Sequence, residues 1–566
     1  MWNCLTIFIV FTCVCDAFGI RKLQILHTND MHARYLEVDE NTVTCTEAQA
    51  KENKCYGGFA RILQAAIEAK EEATKLNISS IFLNAGDTFQ GTPFYSAYKW
   101  EITAPLVNAM EFDVMSLGNH EFDDGINNLV QFLTHIRAPT VATNIDLRND
   151  RRLNETILKK SIKLNVDSIK VGIVGYLTPE TMRISKTEGL QILDEIPSLR
   201  EEVKRLKSDG IQLIIALGHS GFQKDQEVAK EVEDIDVIVG GHSHSLLHTP
   251  KDKPPSTETI EEEYPFWVTQ KSGKKIPIVQ ALAFTKYFGK LILTLNDTGA
   301  VIAAEGNSIL LDYTHTKNAD LEKKVQSWTA NLSTQLNSVI GSTRVSLEKS
   351  NLTSPRIEST FPNLITDAFI EKSVFLAQNQ NFNHWTRHAV AFFQNSGIRA
   401  GIDHSRNGGN ITLGDILEAI PFKNPIRECS LTGSSIKKAL EMSFEHVDPK
   451  QIKFNNILHF SGLRVVYDLR KAPKNRVHSV KIICTECSIP QYENLDDKKV
   501  YNIIADTYIL TENEKYSTLG ASCKNQTHFG CSNLTTSDIV KEYIQRHRIV
   551  YPRLDGRIQI LGYDEI

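Results

Sequence analysis

Residues 22–32 read KLQILHTNDMH: a short apolar run that breaks into a polar loop carrying Asp30 and, two residues later, His32. The same event recurs along the first half of the chain, in SSIFLNAGD (79–87), LGNHEFD (117–123), IQLIIALGHS (211–220) and DVIVGGHSH (236–244). Each run is short and rich in Ile, Leu or Val, and each ends in Asp, Asn or His. Helical patterns lie between them, such as GGFARILQAAIEAKEEATKL at 57–76. Alternation of this kind predicts a layered α/β domain to about residue 300, with strands buried on both faces and the chemistry in the loops.

Working outward, 318–341 has helical periodicity with few strand formers and reads as a connecting helix. The remainder carries its own apolar segments, HAVAFFQNSG, SGLRVVYDL and KVYNIIAD, and is expected to form a second α/β domain. The expected division is a leader at 1–19, a first domain at 20–317, the helix at 318–341 and a second domain at 342–566. At 566 residues the chain is too long for one core. A net charge of -5, without long Lys/Arg runs, argues against a nucleic-acid partner. The uncharged apolar run from Leu5 to Cys15, followed by Ala17, reads as a secretory leader. No later stretch reads as a membrane span or an anchor signal, so a secreted protein without a membrane anchor is expected.

Eight Asn-x-Ser/Thr sequons, at Asn77, Asn154, Asn296, Asn331, Asn351, Asn410, Asn525 and Asn533, agree with export. Of ten cysteines, Cys4, Cys13 and Cys15 fall in the leader, leaving an odd number. Local spacing suggests Cys45 with Cys55, Cys484 with Cys487, and Cys523 with Cys531, so that Cys429 is left over.

The ordered series D-x-H (Asp30, His32), GD (Asp87), GNHE (Asn119, His120), GH (His219) and GHxH (His242, His244) resembles the calcineurin-like metallophosphatase signature. Mixed His, Asp and Asn ligands suit borderline divalent ions. Two ions are implied, zinc foremost, with manganese, magnesium or calcium as alternatives, and Asp87 is the natural bridging carboxylate. By the family's pattern Asp30, His32 and His244 complete one site with Asp87, while Asn119, His219 and His242 complete the other. The resemblance assigns His120 to the phosphoryl group or leaving oxygen, with Asp123 orienting its imidazole. It also implies a four-layer αββα arrangement for this domain.

In the second half, FFQNSGIRAGI (Asn395, Gly397, Arg399), LEAIPF (Phe422) and RIESTFPNLITDAF (Arg356, Asn363) resemble the substrate-binding domain of the 5'-nucleotidase family. There, arginines and an Asn grip the ribose and phosphate region and two rings sandwich the base. One departure stands out: ILTENEKYSTLG replaces the family's glycine-rich loop, and Tyr516 falls where the second ring is expected. The resemblance implies hydrolysis of extracellular nucleotides, ATP, ADP or AMP. Within that, soluble salivary apyrases acting on ATP and ADP, with inhibition of platelet aggregation as the consequence, stand first. A 5'-nucleotidase converting AMP to adenosine, or a catalytically weak binding protein on the same scaffold, is the alternative.

Overall fold

A computed structural model describes residues 21–562 except 168, 252, 350–356, 380–382, 446, 448–456, 513–515 and 531–532. The expected leader, Arg356 and Cys531 lie outside the described residues. Two six-stranded sheets form the first domain. In one, Arg21–Thr28 lies between antiparallel Tyr287–Leu295 and parallel Ser79–Asn84, and the sheet continues through Val114–Ser116 to Thr140–Val141. In the other, Leu213–His219 is parallel to both Ile169–Leu177 and Val237–Val239.

Side-chain alternation along the strands stacks the sheets. In Arg21–Thr28, Leu23 and Ile25 enter the core shared with Ile215 and Leu217 of the second sheet. Leu26 points the other way, into a core with Phe59, Ile62 and Leu106 of the helices covering the first sheet. Helices Glu195–Ser208 and Phe222–Glu231 cover the second sheet through Leu199, Val203 and Val228. The layers therefore run helix, sheet, sheet, helix, and the parallel strands of both sheets end at one rim.

The connecting helix is Ala319–Leu336, capped by the Asn318 side chain on the Leu321 amide at 3.0 Å. Leu321 and Val325 are buried in the first domain's core, so the helix packs on that body. It stops short of the 341 expected from periodicity, because Val339–Thr343 is a strand paired with Asn410–Thr412 and Ile549–Val550. The β-branched Val339 and Ile340 suit that role. The second domain adds a five-stranded sheet centred on Val500–Asp506 and a four-stranded sheet containing Leu463–Asp468, with helix Thr360–Asn379 beside them.

Cys45–Cys55 and Cys484–Cys487 form as local spacing suggests. The third pairing is different: Cys523 bonds Cys429 rather than Cys531. Cys429 sits in strand Ile426–Thr432, and Lys524–His528 runs antiparallel beside it with Ser430 opposite Lys524, which brings Cys523 alongside. Sheet pairing across 94 residues overrode proximity in sequence.

Candidate metal and nucleotide site

All five polar loops open on the common rim. Asp30 and His32 follow Arg21–Thr28, Asp87 follows Ser79–Asn84, and Asn119 and His120 follow Val114–Ser116. His219 ends its own strand, and His242 and His244 follow Val237–Val239. Asp30, His32, Asp87, His242 and His244 all hold left-handed backbone, with φ between 47° and 74°. That region is costly for residues with side chains, though Asp and His tolerate it better than most, and such strain gathers where a loop must aim a functional group. Two glycines make room. A Cβ at Gly118 would stand 2.2 Å from Asp87 Oδ1, and one at Gly241 2.8 Å from the Ala85 carbonyl and 2.9 Å from His219 Nδ1.

The candidate ligand atoms converge in three overlapping groups: Asp30 with His32 and His244, His32 with Asp87 and His120, and Asp87 with His219 and His242. Asp87 stands between them, its Oδ2 3.0 Å from His219 Nε2 and 3.8 Å from His32 Nε2. Asn119 Oδ1 is 2.9 Å from His242 Nδ1. All seven expected ligands are thus brought together.

The donor set fits divalent cations. His32 Nε2 and His244 Nε2 face each other at 3.0 Å, and Nε2 of the buried His219 lies 3.0 Å from Asp87 Oδ2. The Ala85 carbonyl, 2.7 Å from His219 Nδ1, can only accept, so Nε2 is the nitrogen left for a ligand. Burial opposes charge on Asp87, yet His219 and His120 beside it hold its carboxyl well below the usual range. Burial likewise opposes protonation of His219, but Asp87 and Asp30 push it up to about 10. Burial takes His242 down to about 4. A buried pocket with two carboxylates asks for positive charge, and clustered imidazole and carboxylate donors are the types that divalent ions take.

Glu121, left unassigned in the sequence, ties two of these loops. Its carboxylate accepts from the amides of Asp87 at 3.0 Å, Thr88 at 2.7 Å, Phe89 at 3.1 Å and Gly118 at 2.6 Å. Its place in GNHE was the available signal. Burial, with Asp87 nearby, raises it to about 7.

His120 faces the cleft. Its Nδ1 lies 2.7 Å from Asp123 Oδ2, and Asp123 is held in turn by Gln90 at 3.2 Å and Ser185 at 3.0 Å. With Nδ1–H donated to Asp123, Nε2 is free to accept, and Arg399 of the second domain donates to it at 2.8 Å. The Arg399 guanidinium also lies 5.0 Å from the centre of the Phe422 ring, which stacks 5.9 Å from the His120 ring. Asn395 and Gly397 form the turn Asn395–Gly397 before Arg399, where a Cβ on Gly397 would strike the Phe393 ring at 2.6 Å. The Arg399 amide is tied to the Ala419 carbonyl at 2.8 Å, linking this turn to the helix that precedes Phe422.

Two expected substrate contacts are not brought here. Tyr516 is fully buried in the second domain's core among Tyr467, Ile509 and Leu519. Asn363 spends its amide on Glu358 at 2.9 Å and the Arg553 carbonyl at 3.0 Å, anchoring the chain's last segment. His27, from the opening stretch, is a core histidine 2.9 Å from the Tyr264 hydroxyl.

Residues 23–246 match the family model of calcineurin-like phosphoesterases, and residues 339–521 that of the 5'-nucleotidase C-terminal domain. The chain is 36% identical to Protein 5NUC of Lutzomyia longipalpis, over 96% of this chain and 94% of that one. It is 36% identical to the snake venom 5'-nucleotidase of Crotalus adamanteus, covering 96% and 89%, and 34% identical to the Homo sapiens 5'-nucleotidase, covering 96% and 92%. Its fold superposes on a 5'-nucleotidase precursor from Thermus thermophilus with a TM-score of 0.81 and 26% identity, covering 96% of this chain and 100% of that one.

Proposed function

Since this chain belongs to the 5'-nucleotidase family and is a nucleotide phosphohydrolase, we propose that it acts as a secreted apyrase, taking terminal phosphate from ATP and ADP. The reaction consumes water and releases orthophosphate and a nucleotide one phosphate shorter. The observation that carries this reading is Arg399, which touches both His120 at the metal loops and the Phe422 ring, so a phosphate chain running from one to the other passes its guanidinium.

Asp30, His32, Asp87 and His244 would hold one ion, and Asp87, Asn119, His219 and His242 the other. Two divalent ions there, zinc by the donor set, would supply Lewis acidity and a water of lowered pKa. The chain's own residues do the rest. Asp123 fixes the His120 tautomer, so that Nε2 is the atom presented to the phosphoryl group and its leaving oxygen. Arg399 offers a planar fork of donors to phosphate oxygens, and movement of that fork onto substrate releases His120 Nε2. Phe422 provides a face for the base.

Export is supported by exposure of Asn77, Asn154, Asn331, Asn410, Asn525 and Asn533, the sequon residues we propose carry glycans. The disulfides belong in an oxidising compartment. No described helix is long and apolar enough to cross a membrane. Outside cells, loss of ADP would curb platelet aggregation. A second reading, AMP to adenosine, is favoured by the names of the relatives. Phosphate release from AMP, ADP and ATP in parallel, with and without chelator, separates the two. Chelator-sensitive turnover of ATP and ADP is expected, and turnover of AMP alone would replace the apyrase reading with the nucleotidase one.

A further inference from the structure

Two glycines lie just before histidines of one candidate metal group: Gly218 precedes His219, and Gly240 stands two residues before His242. Neither has room for a side chain. A Cβ at Gly218 would fall 2.0 Å from Cζ of Tyr176, and one at Gly240 would fall 2.1 Å from Oδ2 of Asp225. Tyr176 is the cross-strand partner of Gly218, in the pairing of Ile169–Leu177 with Leu213–His219, so the outer edge of its ring fills the space that the glycine leaves. Asp225 reaches the Gly240 loop from helix Phe222–Glu231. The two are joined, the Tyr176 hydroxyl donating to Asp225 Oδ1 at 2.5 Å. Both are wholly buried, and neither belongs to a candidate ligand group.

Asp225 is a costly residue for this position. Its Oδ2 has no hydrogen-bond partner among the described residues, and burial pushes the carboxyl up to about 7. A buried carboxyl with an unmet oxygen loses stability that an apolar side chain of the same size would keep. What the carboxyl supplies is shape and reach: one oxygen ties the helix to the strand through Tyr176, and the other packs against Gly240. The far part of the same loop is held differently. Gln280 Nε2 donates to the Gly241 carbonyl at 3.1 Å, and its Oε1 accepts from the Ser243 hydroxyl at 3.0 Å and from the Ser245 amide. His244, between those two serines, is thus tied to Gln280, whereas the approach to His242 leans on Asp225. We propose that Tyr176 and Asp225 are positioning residues that set His219 and His242 jointly, and so control the affinity of the ion those histidines would share with Asp87, while the ion at Asp30, His32 and His244 is supported by other contacts. This rests on the two-ion reading of the rim.

The test follows zinc uptake by chelator-stripped wild type, Asp225→Ala, Asp225→Asn and Tyr176→Phe, in competition with a chromophoric chelator, each checked for native near-ultraviolet circular dichroism. Wild type should take up two ions. In Asp225→Ala the dissociation constant of one ion should rise about 10–100-fold, as when the support of a metal ligand is removed, with the other held within about twofold. Asp225→Asn keeps the shape and an acceptor for the Tyr176 hydroxyl, and should bind both ions as wild type does. Tyr176→Phe keeps the ring beside Gly218 and should weaken the same ion about fivefold, the loss of one hydrogen bond, and it carries the test if Asp225→Ala does not fold. Placed on His244→Ala, Asp225→Ala should weaken the one remaining ion by the factor seen alone; placed on His242→Ala, it should leave the remaining ion unchanged. Equal weakening of both ions, or two ions bound with wild-type affinity in Asp225→Ala, would overturn the positioning role and leave the two-ion reading standing. A wild type that takes up no divalent ion would overturn the two-ion reading itself.

Discussion

The candidate ligand rim of the first domain and the proposed nucleotide-facing wall of the second are built on different plans. On the rim, each candidate ligand ends or closely follows a buried strand, and the sheet delivers it; five of the seven sit in left-handed backbone that fixes their direction. On the wall, Arg399 and Phe422 depend on a turn over Phe393, a bond to Ala419 and the helix Leu413–Ala419. The rim is a local consequence of strand ends, whereas the wall is a product of distant packing. A motif can therefore be trusted further on the rim than on the wall.

Substitutions on each side put that contrast at risk. The largest effect is expected for Asp87→Ala, because this carboxylate stands between the two ligand groups, 3.0 Å from His219 Nε2 and 3.8 Å from His32 Nε2: divalent content and phosphate release should disappear together, followed by elemental analysis and a phosphate assay. Retention of both ions would show that the rim does not pivot on Asp87. Next comes His120→Ala, expected to lower kcat by about 10²–10⁴-fold, as for loss of a general acid–base group, with metal content near normal. Wild-type rates would remove His120 from the chemistry.

On the wall, Phe422→Ala should weaken nucleotide binding by about 1–3 kcal/mol, read as a raised KM, if a base stacks on the ring. An unchanged KM would leave Phe422 as packing for Arg399 alone. Smallest for catalysis is Tyr516→Leu: a core ring lost should cost about 1–3 kcal/mol of stability in a denaturant melt, with KM essentially unmoved. Normal stability with a raised KM would return Tyr516 to the base site.

Much of the first domain was legible because its signals are short-range. Five apolar runs, each ending in Asp, Asn or His, specify strand, turn and candidate ligand together, and parallel pairing of those strands places these residues at one rim. Even there, similar letters part ways: His27 and His32 lie in one stretch, but His27 is inside the strand and packs against Tyr264, while His32 lies beyond its end. Glu121 was visible in its motif, yet its task, accepting amides from the Asp87 loop, exists only once two loops meet.

The second domain was less legible for the same reason. Cys429 finds Cys523 through an antiparallel ladder rather than a short loop. Tyr516 occupies the expected place in the chain, but its phenol is drawn into a core with Tyr467.

We propose that hydrolysis by this chain depends on the seven rim side chains holding a pair of divalent ions. Elemental analysis of active, purified protein before and after chelation, with nucleotide turnover followed on the same samples, tests that dependence without intermediaries. Two divalent ions per chain are expected, with turnover lost as they are stripped and recovered when they are returned. Active protein without stoichiometric divalent ion, or a rate unchanged after every ion is removed, would contradict it.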